Sequence, residues 1–392
     1  MINRRKAMQF GAGLTSLAMM PSIASETNND RILVAVELSG GNDGLNSFVP
    51  YGDDAYYNHR PTIGIPRDQL LKLDDHFGLN PGMLGLHRLW NDGQVAVVHG
   101  CGYDQPSYSH FTSMAYWHTG APHSGNEFGW LGRIADAMSP AYRDNMLINV
   151  ANRQSLSVKS KVHTPVVFDD PDRFQRHRWM DGWKASDGAS GHEVQTQNKN
   201  HAFLRSVNQS AQASSQLIQK AWSNYKTDVD YGIAPMDLPK VASCIAAGLP
   251  TQLYQVSFRN NSFDTHVQQP ALHRRLLSYA CDGLHGFQRD LERLGVADRV
   301  TVLVYSEFGR RVPENANLGT DHGSANDMWV IGNGVKGGHY GALPSLTELV
   351  DGDNLAHTVD FRQVYATVAQ DWLGVDAASV LNGQFERVPI FT

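Results

Sequence analysis

Six short apolar runs constrain this chain most. They are RILVAVELSGG (31–41), QVAVVHGCG (94–102), NMLINVA (145–151), TQLYQVSF (251–258), RVTVLVYSEF (299–308) and DMWVIG (327–332). A strand that is apolar at successive positions is buried on both faces, as in parallel sheets covered by helices. Helical patterns stand between the runs. The clearest is 270–294, where Leu272, Leu276, Ala280, Leu284, Phe287, Leu291 and Leu294 recur every three or four residues. Pro270 sits near its start, where proline is tolerated. Strands alternating with helices predict one large doubly wound α/β domain over residues 30–392, with a mostly parallel sheet. Residues 168–230 break the pattern with polar, turn-rich sequence spotted with aromatics. They predict a polar cap inserted over one edge, in which Trp179 and Trp183 are packing aromatics or line a substrate cleft.

No run reaches the roughly 18 apolar residues of a membrane span. The first 24 residues carry Arg4, Arg5 and Lys6, then a weakly apolar stretch and Ser22-Ile23-Ala24 with small residues at a cleavage-like spacing. This is the layout of an export signal of twin-arginine type. It predicts a partnership with the export machinery and a periplasmic or secreted mature chain. Removing residues 1–24 takes away three positive charges and no negative one, so the net charge falls from −6 to −9. An acidic chain lacks the basic face that nucleic acid requires. Cys101, Cys244 and Cys281 are far apart in sequence, which excludes a CxxC motif and predicts buried thiols.

In open α/β sheets, sites form beyond the carboxyl ends of the strands. The first run delivers Asn42 and Asp43, and the second leads to Ser107, Ser109 and His110. The fourth delivers Asp264 and His266. The fifth delivers Glu307, Arg310 and Arg311, and the loop after it Asp321 and His322. Singly, each has a plain structural reading: an Asp-Thr-His turn capping a helix, a tight Gly-Gly-Asn-Asp turn, a surface salt bridge. Together they bring carboxylates and imidazoles to one sheet edge. Those are the ligands of one or two divalent ions such as zinc, manganese or magnesium. An arginine beside them matches the oxygens of phosphate or sulfate.

The segments ELSGGNDGLNSFVP, SHF, FDTHVQQ, SEFGRR, GTDHG and VDFRQVYATVAQDWLG (359–374) resemble, in that order, the secreted bacterial domain-of-unknown-function family numbered 1501. That family is placed in the alkaline-phosphatase-like superfamily of phosphatases and sulfatases. The resemblance implies a three-layer α/β/α sandwich with a metal site above the sheet. It also implies roles. Asp264, His266 and His322 would hold one metal. Asp43, with Asn42 as a neighbouring choice, would join Glu307 and Ser109 at a second. Ser109, or Ser107 as fallback, would be the nucleophile at a helix start, and His110 would move a proton. Arg310 or Arg311 would grip the ester, and Asp321 would orient His322. Glu307 is followed by Phe308, where the superfamily pattern places a histidine. The formylglycine signature C/S-x-P-x-R is absent after the second run.

The expected function is an exported metal-dependent hydrolase of phosphate or sulfate esters, acting on small-molecule or glycan substrates. The alternative is a non-catalytic extracytoplasmic protein that keeps the fold for binding or assembly. A metal-free serine hydrolase using Ser109 and His110 is disfavoured, because no GxSxG elbow exists. The closing segment is expected to be structural. Asp360 pairs with Arg362, and Val364, Tyr365, Val368 and Trp372 form an apolar stripe.

Overall fold

The structure, a computed structural model, describes residues 30–174 and 199–392, with backbone alone for 199–211. The expected export segment and the two tryptophans, Trp179 and Trp183, lie outside the described residues.

The apolar runs form a nine-stranded sheet. In chain order its strands and an intervening hairpin are β1 (Ile32–Leu38), β2 (Val95–Gly102), β3 (Leu147–Val150), β4 (Val166–Phe168), β5 (Leu253–Phe258), β6 (Val300–Tyr305), the hairpin β7 (Gly309–Arg310) and β8 (His322–Gly323), then β9 (Asn326–Ile331), β10 (Gly338–Tyr340) and β11 (Val359–Asp360). The sheet order is β10-β2-β9-β6-β1-β5-β3-β4, with β11 beside β2. The pairings are parallel except those of β9, which runs against β2 and β6.

Burial on both faces explains the continuous apolar runs. Along β1, Val34 and Val36 join one core cluster with Leu86, Val241, Leu277 and Leu284. Leu33 and Ala35 join the opposite cluster with Trp117, Trp130 and Tyr365. The first face is covered by α1 (Leu84–Asn91), α5 (Leu238–Ala246) and α6 (Gln269–Arg293). The second is covered by α2 (His110–Thr119), α3 (Trp130–Met138) and α7 (Phe361–Thr367), with α4 (Lys199–Asn224) lying between α3 and α5 in sequence. This is the expected α/β/α sandwich. In the stretch read as a cap, α4 places Ile218 in the first core cluster.

The closing segment is structural. Asp360 caps α7, accepting from the Arg362 amide, and its carboxylate pairs with the Arg362 guanidinium at 2.5 Å. Val364, Tyr365, Val368 and Trp372 are buried. The three cysteines are buried free thiols. Among the described residues no helix is long and apolar enough to cross a membrane.

One topological detail positions the site. Strands β1, β2, β5 and β6 point the same way, so their carboxyl ends share one edge. An antiparallel strand begins where its parallel neighbours end. The segment that enters β9, carrying His322, therefore arrives at that same edge.

Candidate metal centre

Four loops converge on Asp264. After β5 the chain turns through Asp264 and His266. After β2 it enters α2, whose first residue is His110. After β6 come Glu307 and the β7–β8 hairpin with Arg310 and His322. After β1 it turns at Gly40 and Gly41, with φ of +118° and +77°. A Cβ at Gly40 would lie 2.5 Å from the Asp264 amide nitrogen, and one at Gly41 2.2 Å from the Phe308 ring. Glycine at both positions lets the turn close against the site.

One oxygen of Asp264, Oδ1, lies 3.0 Å from His266 Nε2, 3.1 Å from His322 Nε2 and 2.8 Å from Arg310 Nη2. The two Nε2 atoms are 2.9 Å apart. His110 Nε2 lies 3.4 Å from Asp264 Oδ2, a charge contact too poorly aligned for a hydrogen bond, and is otherwise a buried nitrogen without a partner. Ligand atoms of His110, Asp264 and His322 all fall within 4.8 Å of one another.

The far side of each ring is fastened. His110 Nδ1 lies 2.9 Å from Glu307 Oε1, His266 Nδ1 3.2 Å from Asp321 Oδ1 and His322 Nδ1 2.7 Å from the Tyr108 carbonyl. An acceptor at Nδ1 fixes each ring with its Nε2 edge toward Asp264, the nitrogen a metal ion would take in place of a proton. Glu307 is itself buried, and it accepts from the amides of Gly40 (2.8 and 3.0 Å) and Gly41 (3.2 Å). Burial works against ionisation of Asp264, but contacts with His110, His322 and Arg310 outweigh it and hold the carboxyl well below the usual range. Asp264 and Glu307 together push His110 up to about 9.

The geometry gives several of these residues partners other than those expected. Glu307 meets His110 at Nδ1, on the side of the ring away from Asp264. Asp321 backs His266 rather than His322. Arg310 is fully buried, donating to the carbonyls of Gly41 (2.7 Å), Thr320 (2.8 Å), Phe263 (3.2 Å) and Gly40, so its guanidinium has no face left for an ester. Arg311 is part-exposed and lies 3.7 Å from Asp353. Asp43 is buried against Arg60 at 2.7 Å and Gln269 at 2.5 Å. Burial raises its pKa, but the Arg60 charge prevails and lowers it. Asn42 accepts from His273 Nε2 at 2.9 Å. Asp43 and Asn42 thus brace the floor beneath the turn, and no second ligand group forms among the described residues. Ser109 is the exposed N-cap of α2 and its side chain makes no capping bond, whereas Ser107 Oγ accepts from the Ser109 amide at 3.3 Å. The Tyr108 carbonyl and the Gly-Gly amides escaped the sequence reading, because backbone groups carry no residue-type signal. Arg60 escaped it because a lone arginine names no partner.

The model of one protein family matches residues 30–387. The chain belongs to that family, described as "Protein of unknown function (DUF1501)". A search of curated proteins found no match. Among solved structures, this DUF1501 chain is similar to an alkaline phosphatase superfamily protein from Vibrio parahaemolyticus at 10% identity and a TM-score of 0.41, covering 90% of this chain and 69% of that one. It is also similar to a sulfatase from Pseudoalteromonas at 12% identity and 0.39, covering 92% and 70%. A phosphonate monoester hydrolase from Silicibacter pomeroyi matches at 10% and 0.40, covering 91% and 75%.

The side chains of the DUF1501 chain fit a divalent ion. Ligand atoms of His110, Asp264 and His322 lie within 4.8 Å of one another, and His266 Nε2 adjoins this group, 2.9 Å from His322 Nε2 and 3.0 Å from Asp264 Oδ1. Three nitrogens and a carboxylate oxygen are a zinc-type donor set.

Proposed function

We propose that the protein is an exported, metal-dependent hydrolase of phosphate or sulfate esters that works in the periplasm or outside the cell. The observation that carries this reading is the convergence of His110, His266 and His322 Nε2 on Asp264, with each Nδ1 fastened from behind. Those four residues would hold the ion, zinc in preference to manganese or magnesium. A divalent ion there would supply Lewis acidity, polarising an ester oxygen and acidifying a nearby hydroxyl.

The chain's own residues supply the rest. Ser109 sits at the N-terminus of the ten-residue α2, where backbone amides and the helix dipole favour an anion. Its uncapped, exposed hydroxyl precedes His110 directly and supports the role of nucleophile. Glu307 fixes the tautomer of His110, which serves as ligand rather than proton carrier. With Arg310 engaged by backbone carbonyls, the α2 amides remain to receive the ester's outer oxygens. The substrate is a small-molecule or glycan ester.

The engaged Arg310 also favours a second reading, a non-catalytic binding protein on the same fold. A screen of phosphate and sulfate mono- and diesters, with zinc, manganese or magnesium added, separates the two. The hydrolase reading expects turnover that Ser109→Ala lowers by more than about a thousandfold with metal content unchanged. Turnover indifferent to Ser109→Ala removes the nucleophile. No turnover by metal-loaded protein leaves the binding role.

A further inference from the structure

A second cavity, which the proposed reaction does not use, lies beside the β7–β8 hairpin. It measures about 150 Å³, a size that accepts a benzene-like molecule. Phe48, Phe77, Leu346 and Leu355 line it, together with the exposed Leu343. Asp327 interrupts this apolar wall with a carboxylate. Asp327 is only 11% exposed.

The carboxylate is held by a histidine relay. Asp327 Oδ1 lies 3.0 Å from His99 Nδ1, and His99 Nε2 lies 2.8 Å from His339 Nδ1. His339 Nε2 is 3.2 Å from Asp74 Oδ2 without hydrogen-bond alignment. Phe77 stacks on both rings, with centroids 4.7 Å from each. One proton per ring satisfies both bonds that run toward Asp327: His339 Nδ1–H donates to His99, and His99 Nδ1–H donates to the carboxylate. Burial, with the neighbouring His99, pushes His339 down to about 4, so its ring is neutral at neutral pH. The chain of rings holds the Asp327 carboxylate through Oδ1 and leaves Oδ2 toward the cavity.

Two further charged side chains line the wall. Asp53 adds a second carboxylate. Arg310 also borders the cavity, but its guanidinium is bound to backbone carbonyls and to Asp264. Among the described residues no hydrogen bond reaches Asp327 Oδ2. A part-buried carboxylate in an apolar cavity calls for a cationic partner, and aromatic walls add cation–π attraction.

We propose that this cavity binds a small organic cation, an ammonium group on an alkyl or aryl body, with the ammonium on Asp327 Oδ2 and the body against Phe48 and Phe77. Benzylammonium chloride, titrated by calorimetry into the full chain, tests this, with benzyl alcohol as the uncharged counterpart. The expected result is that benzylammonium binds at least about tenfold more tightly than the alcohol, and that Asp327→Asn removes the difference. Leu343→Trp, at an exposed lining position, is expected to block both probes, and it decides the matter if Asp327→Asn does not fold. Equal affinity for the two probes, no binding by the wild type, or binding unchanged in both variants would overturn the proposal. So would loss of binding in His322→Ala, which would put the probe at the metal centre.

Discussion

A histidine ligand has two ends, and the group behind it sets where the front points. Glu307 holds His110 by Nδ1 and is itself gripped by the Gly40 and Gly41 amides. Glu307→Gln keeps the shape but loses the charge and the acceptor pair. It is expected to weaken zinc binding about 10–100-fold in a chelator competition, leaving the far-ultraviolet spectrum unchanged. The same role was hard to see in the sequence. A carboxylate at a strand end can face a metal or face the metal's histidine, and both uses call for the same residue type. Only the Gly-Gly turn, folded onto Glu307 from another strand, distinguishes them. Asp43 misled for a similar reason, since its partner Arg60 lies in a segment without pattern. A neighbour on that floor gives a pH test. His273 is fully buried, and burial lowers its pKa to about 4 from 6.5. It stays neutral in the folded chain, so its stabilising effect is present above pH 6.5 and is lost as pH falls from 6.5 to 4. The full loss is about 3 kcal/mol. Denaturant melts across that range should show the acid slope, and His273→Gln should flatten it.

At the scale of elements, the β7–β8 hairpin is tied down by Arg310. Its guanidinium joins the β1 turn, the segment after β5 and the hairpin itself. Arg310→Met would leave those carbonyls and Asp264 without their cation. We expect a loss of about 3–5 kcal/mol in chemical denaturation, the range for breaking a buried ion pair from one side. A substrate-gripping arginine would instead raise KM with little change in stability. The strands themselves were legible, because burial on both faces writes an unbroken apolar run. The direction of β9 was not, since parallel and antiparallel strands share one side-chain period. That direction matters, because it delivers His322 to the edge where the parallel strands end.

For the whole molecule, the sandwich brings four distant segments to one point above the sheet, and the protein's activity is proposed to depend on an ion there. The doubly wound α/β class was readable from alternation alone. The candidate site was half readable: Asp264, His266 and His322 lie together, and His110 joins them from α2, where a fourth donor is the proposed role. Zinc uptake by the full chain, measured by calorimetry and by elemental analysis after desalting, tests the central claim most directly. The account predicts about one zinc per chain, retained in Ser109→Ala and lost in both Asp264→Ala and His322→Ala. A folded wild-type chain that takes up no zinc, or uptake unaffected by either ligand substitution, would contradict it.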